Sequence, residues 1–167
     1  EATLAARTAG KASLPAEDGR GLEFAQQGFI ATRADPIIRA KDGRPVWNLD
    51  AYKWMEGDAP ATVNPSLWRH MNVLRHHGLY KVTDNIWQVR GFDVSNMTVI
   101  KGQTGWILID PLTTRETAAA ALELVNKELG ARPVTGVIYS HSHGDHFGGA
   151  RGVTTEADIK SGKVAII

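Results

Sequence analysis

From residue 79 onward, apolar and polar positions alternate in short runs. Leu79, Tyr80 and Val82 flank Lys81, and Ile86, Trp87 and Val89 flank Gln88, with Asp84-Asn85 between the two runs. This period of two predicts a pair of half-buried strands joined by a turn. Residues 96–101 form a third such run, and Gly102-Gln-Thr-Gly105 reads as a hairpin-like turn. Trp106-Ile-Leu-Ile-Asp110 is almost continuously apolar, as in a sheet covered on both faces, and Pro111, lacking an amide, ends the pairing. The period then lengthens. Ala118, Leu122, Val125 and Leu129 share one face of a predicted helix; Thr113-Thr-Arg-Glu116 has capping-box spacing and Gly130 closes the helix. Residues 134–139 return to an apolar strand, so antiparallel strands are followed by strand–helix–strand, an α/β order. Lys163-Val-Ala-Ile-Ile167 reads as one more buried strand, which predicts a section of a longer protein.

The first 78 residues have a different texture. Residues 2–11 predict a short helix, and 22–28 a helical turn ended by Gly28. Residues 29–65 carry many Pro, Gly and Asp positions and read as an irregular arm with short helices, for example over 49–55. Trp47, Trp54 and Trp68 require a surface to pack on. A helix is predicted over 66–78, with Pro65 before it, Ser66 as cap and Gly78 at its end. The expected organisation is an arm over 1–78 and a sheet domain over 79–167.

The formal net charge of +1, without a basic run, excludes a nucleic-acid footprint. No stretch approaches the ~20 apolar residues of a membrane span. The absence of cysteine removes disulfides, thiolate ligands and a thiol nucleophile together.

The candidate chemistry lies in Ser140-His-Ser-His-Gly-Asp-His-Phe-Gly-Gly149, directly after the strand at 134–139. Imidazole and carboxylate are the nitrogen and oxygen ligands of Zn²⁺ and similar ions. His141 and His143, two apart on an extended segment, share a face and can reach one ion. Asp145 and His146 follow a turn at Gly144 and more naturally serve a second ion, ~3.5–4 Å from the first. Gly148-Gly149 permits close backbone approach.

His-x-His-x-Asp-His after an apolar strand resembles the signature of the metallo-β-lactamase superfamily, and Leu108-Ile-Asp110 resembles its second hallmark, an aspartate ending an earlier strand. The resemblance implies an αββα sandwich, of which this chain holds the N-terminal part. It implies two zinc ions, with His141 and His143 on the first, Asp145 and His146 on the second, Asp145 as the candidate catalytic residue, and Asp110 supporting the loop from behind. Gly28-Phe-Ile-Ala, Val46-Trp-Asn, Asn64-Pro-Ser-Leu-Trp-Arg and Phe92-Asp-Val-Ser-Asn-Met-Thr resemble the N-terminal region of the secreted bacterial alkylsulfatases. That likeness implies hydrolysis of alkyl sulfate esters, a homodimeric parent, and a periplasmic or secreted location. In that family further ligands and the sulfate-gripping residues lie beyond the His loop, so the chain alone is expected to have an incomplete site. A lactamase, lactonase or thioester hydrolase on the same fold, or an inactive fragment of such an enzyme, is the alternative.

Two smaller features complete the reading. His70, His76 and His77 beside Arg75 read as an ordinary helix surface. Ser95-Asn-Met-Thr98 reads either as a loop over the metals or as a plain strand start.

Overall fold

The computed structural model describes residues 1–15 and 18–167. Its contacts divide the chain into two units, Glu1–Gln27 with Asp50–His76, and Gly28–Leu49 with His77–Ile167. Residues 28–49 group with the sheet in the second unit.

The first unit is helical. Helices α1 (Ala2–Ser13) and α2 (Arg20–Gln26) both pack on α3 (Pro65–Leu74). Asn64, not Ser66, caps α3; its side chain accepts from the amides of Ser66 and Leu67, and Pro65 sits where a missing amide costs nothing. The helix stops before the expected Gly78. Trp68 is buried and donates through Nε1 to the Gly57 carbonyl at 3.0 Å. Trp54 stacks edge-on against Trp68 at 5.8 Å yet stays 67% exposed, so only part of that indole finds the expected surface. Residues 49–55 form i→i+3 turns (Lys53 to Asp50, Met55 to Tyr52) and not a helix.

The second unit is built on a seven-stranded sheet. Its strands are β1 (Phe29–Ala31), β4 (Gly78–Thr83), β5 (Ile86–Arg90), β6 (Met97–Lys101), β7 (Trp106–Ile109), β8 (Val134–Ile138) and β9 (Ala165–Ile166), in that spatial order. Neighbours from β1 to β7 are antiparallel; β7, β8 and β9 run parallel. A separate hairpin pairs β2 (Ile37–Arg39) with β3 (Pro45–Asn48). These three strands inside the expected arm are the main departure from the sequence reading. Three- and four-residue strands show no period, and partner strands alone reveal them. The hairpin joins the core through Ile38, and Trp47 donates to the Gly91 carbonyl at 3.1 Å.

Helix α4 (Arg115–Leu129) links the parallel strands β7 and β8, as a parallel connection requires. Register places Val89, Met97, Val99, Leu108 and Val137 on one sheet face, all fully buried in one core with Ala118, Ala121, Leu124 and Val125 of α4. The expected face meets the core: Ala118 and Val125 are fully buried, Leu122 and Leu129 pack against it only partly buried, and Ala121 and Leu124 complete the buried stripe. On the other sheet face Ile100, Ile107, Ile109 and Ile138 are half-buried. A helix layer on a sheet layer is half of the expected sandwich. Strand β9 forms in the expected run and pairs with β8, with Val164 just before it buried.

The cap of α4 shifts by one residue from the sequence reading. Thr114 is the N-cap and closes a box with Thr117. Thr113 is already engaged, because its amide and hydroxyl both donate to Asp93. After β8 come a one-turn helix α5 (Gly144–Phe147), a 3-10 turn (Ala150–Gly152) and α6 (Glu156–Lys160), which leads into β9.

Candidate metal centre

The candidate ligands occupy the loop leaving β8 and the first residues of α5. Opposite them the chain leaves β7 through a strained bend. Asp110 has φ 57° and Leu112 φ 62°, left-handed values that cost a non-glycine residue of order 1–3 kcal/mol each. The Leu112 amide donates to the Asp110 carbonyl at 2.8 Å, which closes a three-residue turn around Pro111. The bend survives because its neighbours over-determine it: the Asp110 amide donates to Ile138 O at 3.0 Å, Leu112 is fully buried, and the Gly149 amide donates to Leu112 O at 2.9 Å.

The bend aims the Asp110 carboxylate at the His loop. Oδ1 accepts from the Ser140 amide at 2.8 Å; Oδ2 accepts from the Ser140 hydroxyl at 2.6 Å and meets His146 Nδ1 at 2.9 Å. Burial alone would raise this carboxyl. The Ser140 hydroxyl and amide, with His146, outweigh that and hold it below the usual carboxylate range.

These contacts set the tautomers. An ionised Asp110 only accepts, so Ser140 must give it the hydroxyl proton. The Ser140 oxygen then accepts from His141 Nδ1, at 2.9 Å. By the same logic His146 carries its proton on Nδ1 toward Asp110. In the neutral tautomer that these contacts select, both rings present Nε2 away from Asp110, as a metal ligand would. His141 Nε2 lies 3.1 Å from His143 Nδ1, and His146 Nε2 lies 3.2 Å from Asp145 Oδ2. The His141 ring stands 4.7 Å from that of His143 and 4.0 Å from that of His146. A ring nitrogen facing a carboxylate oxygen must share either a proton or a metal cation with it, and two imidazole nitrogens with a carboxylate nearby are a donor set that fits a metal. Among the described residues no three His, Asp or Glu side chains close around one point; the donors converge in pairs.

Other neighbours brace the loop. Ser95, before β6, donates its hydroxyl to the backbone carbonyl of Asp145. Both readings left open for residues 95–98 hold in part: Ser95 touches the His loop, and Met97 starts β6. Two residues earlier, Asp93 is buried and accepts from the Val94 amide at 2.6 Å, the Thr113 amide at 3.1 Å, and the hydroxyls of Thr113 and Thr117. Sequence reasoning assigned no role to Asp93 or Ser140. The available signal was Ser140 itself, a small hydroxyl residue between an apolar strand and the first histidine. His77, read as helix surface, lies beyond α3 and meets Thr32 Oγ1 at 2.8 Å through Nδ1.

Gly148-Gly149 serves close packing, as the sequence predicts. A Cβ on Gly149 would stand 2.1 Å from the Pro111 carbonyl oxygen and 2.8 Å from Ala118 Cβ. Gly149→Ala is therefore expected to lower unfolding free energy by about 1–3 kcal/mol, because backbone must move to admit the methyl group. Urea unfolding checks this; a change under about 0.5 kcal/mol would show that the contact is not tight.

Comparison with known proteins agrees with this architecture. Residues 90–167 match the family model described as the metallo-beta-lactamase superfamily. The chain is 49% identical to an alkyl/aryl-sulfatase of Saccharomyces cerevisiae, over 99% of this chain and 26% of that protein. It is 46% identical to a linear primary-alkylsulfatase of a Pseudomonas species, over 99% of this chain and 25% of that protein. It superposes on the solved sec-alkylsulfatase Pisa1 from Pseudomonas with a TM-score of 0.92 and 45% identity, covering 99% of this chain and 26% of that one. The chain thus spans about a quarter of the length of the relatives it matches.

Proposed function

We propose that the full-length protein carrying this chain is a member of the metallo-β-lactamase superfamily and hydrolyses alkyl sulfate esters at a dinuclear metal site. The observation that carries this reading is the reach of the alkylsulfatase likeness. It extends over nearly the whole chain, including residues before 90 that the broad superfamily model does not cover. A shared metal loop alone would favour no substrate among the superfamily's hydrolases.

His141 and His143 would hold one ion, and Asp145 and His146 the other. When bound, such ions supply Lewis acidity and make a water acidic enough to attack at neutral pH. The chain's own residues do the positioning. Asp110 fixes the His146 ring directly and the His141 ring through Ser140, keeping the protons on Nδ1 and both Nε2 atoms available. Asp145 adds the negative charge of its carboxylate and is the candidate catalytic residue. Because the donors converge only in pairs, the 167-residue chain by itself is expected to be inactive. Zinc as the metal, a homodimeric parent, and a periplasmic or secreted location belong to the same reading and rest on the resemblance.

The test is sulfate release by the full-length, zinc-loaded protein from dodecyl sulfate, run beside β-lactam, lactone and thioester hydrolysis. Turnover of the alkyl sulfate is the expected result. Binding should tighten about fourfold per added methylene, the equivalent of ~0.8 kcal/mol, until the apolar site is full. Protein that leaves alkyl sulfates intact and opens a lactam, lactone or thioester would retain the family and refute the substrate.

A further inference from the structure

We infer that Ser95 is a positioning residue for the metal loop, acting through the peptide that joins Asp145 to His146. Ser95 is 7% exposed, and its hydroxyl donates to the Asp145 carbonyl across 50 residues of sequence. That carbonyl has no partner within its own helix. In α5 the amides of Gly148 and Gly149 are the ones that would ordinarily reach it. Gly148 instead donates to Gly144 O at 2.8 Å, and Gly149 to Leu112 O at 2.9 Å. A helix of four residues leaves such carbonyls orphaned, and here a side chain from another loop supplies the donor.

The peptide so gripped lies between the two residues assigned to the second ion. Rotation of this peptide would swing the Asp145 carboxylate and the His146 ring together. His146 is held on its far side by Asp110, at Nδ1. Ser95 therefore completes a two-sided hold: Asp110 sets the ring and Ser95 sets the backbone. The anchor can bear this role because Ser95 does not sit on a yielding loop. Asp93, two residues before it, is locked by four donors, two of them hydroxyls at the start of α4. The frame of α4 is thus carried through Asp93 and Ser95 to the ligands, with no contact between Ser95 and the ion required.

The inference rests on the metal-site reading, and its test separates the two. Cobalt(II) is titrated into the metal-free, full-length protein, and both affinity and the visible d–d spectrum are recorded. Ser95→Ala is expected to weaken cobalt binding about tenfold and to alter the spectrum, as loss of a supporting partner does at other metal sites. Ser95→Thr keeps the hydroxyl donor; it should show a smaller loss, and it supplies the reading if the alanine variant does not fold. A Ser95→Ala protein with wild-type affinity and spectrum but a lowered melting temperature would make Ser95 merely structural and overturn the proposal. Wild-type protein that takes up no cobalt would overturn this inference together with the metal site. Normal uptake by wild type and both variants would overturn this inference alone.

Discussion

Replacing His143 with Ala in the full-length protein is expected to lower metal affinity by more than about 100-fold and to abolish sulfate release. Loss of an outer-shell partner costs about 10–100-fold, and removal of a ligand must exceed that. His143 Nδ1 faces His141 Nε2 at 3.1 Å, so the substitution leaves the first donor pair with one member. The side chain is exposed and outside the core, which makes the fold a clean control. Unfolding of the metal-free variant should match wild type within about 0.5 kcal/mol. Metal analysis and turnover are the measurements. A folded variant with wild-type metal content and wild-type sulfate release would remove His143 from the site.

The largest effect on stability is expected at Asp93. Asp93→Ala removes the common acceptor of two amides and two hydroxyls, and Thr117 is fully buried. Buried donors left without an acceptor lose protein and water together, so a cost of about 3–5 kcal/mol is expected. Asp93→Asn keeps one acceptor oxygen but turns an amide donor toward groups that already donate; about 1–3 kcal/mol is expected there. The midpoint of urea unfolding reads both. If Asp93→Ala moved stability by less than about 0.5 kcal/mol, water would be replacing the carboxylate, and the rigid-frame argument for Ser95 would lose its anchor.

Local features of the chain were legible for a physical reason. Strands β4 to β8 and helix α4 announce themselves because their side-chain periods, two and about 3.6, are written in adjacent residues. The metal loop is equally local: three imidazoles and a carboxylate within six positions need no partner strand to be noticed. Asp110 was visible as the last residue of an apolar run, although the φ of 57° that aims it was not.

What the amino-acid order determined by itself is therefore the strand–helix–strand succession, the candidate ligand types and their mounting at the end of β8. Tertiary structure decided the rest. It paired β1 with β4 across nearly fifty residues and set Ala121 and Leu124 of α4 into the core beside Ala118 and Val125. It also brought Asp110 to Ser140 and His146, 30 and 36 residues on, and Ser95 to Asp145, 50 residues on. Such contacts leave no periodic trace. A buried carboxylate or an orphaned carbonyl acquires its partner only when the strands take their places. The cost of leaving it unpaired, about 1–3 kcal/mol, is felt in the folded chain and nowhere in the sequence.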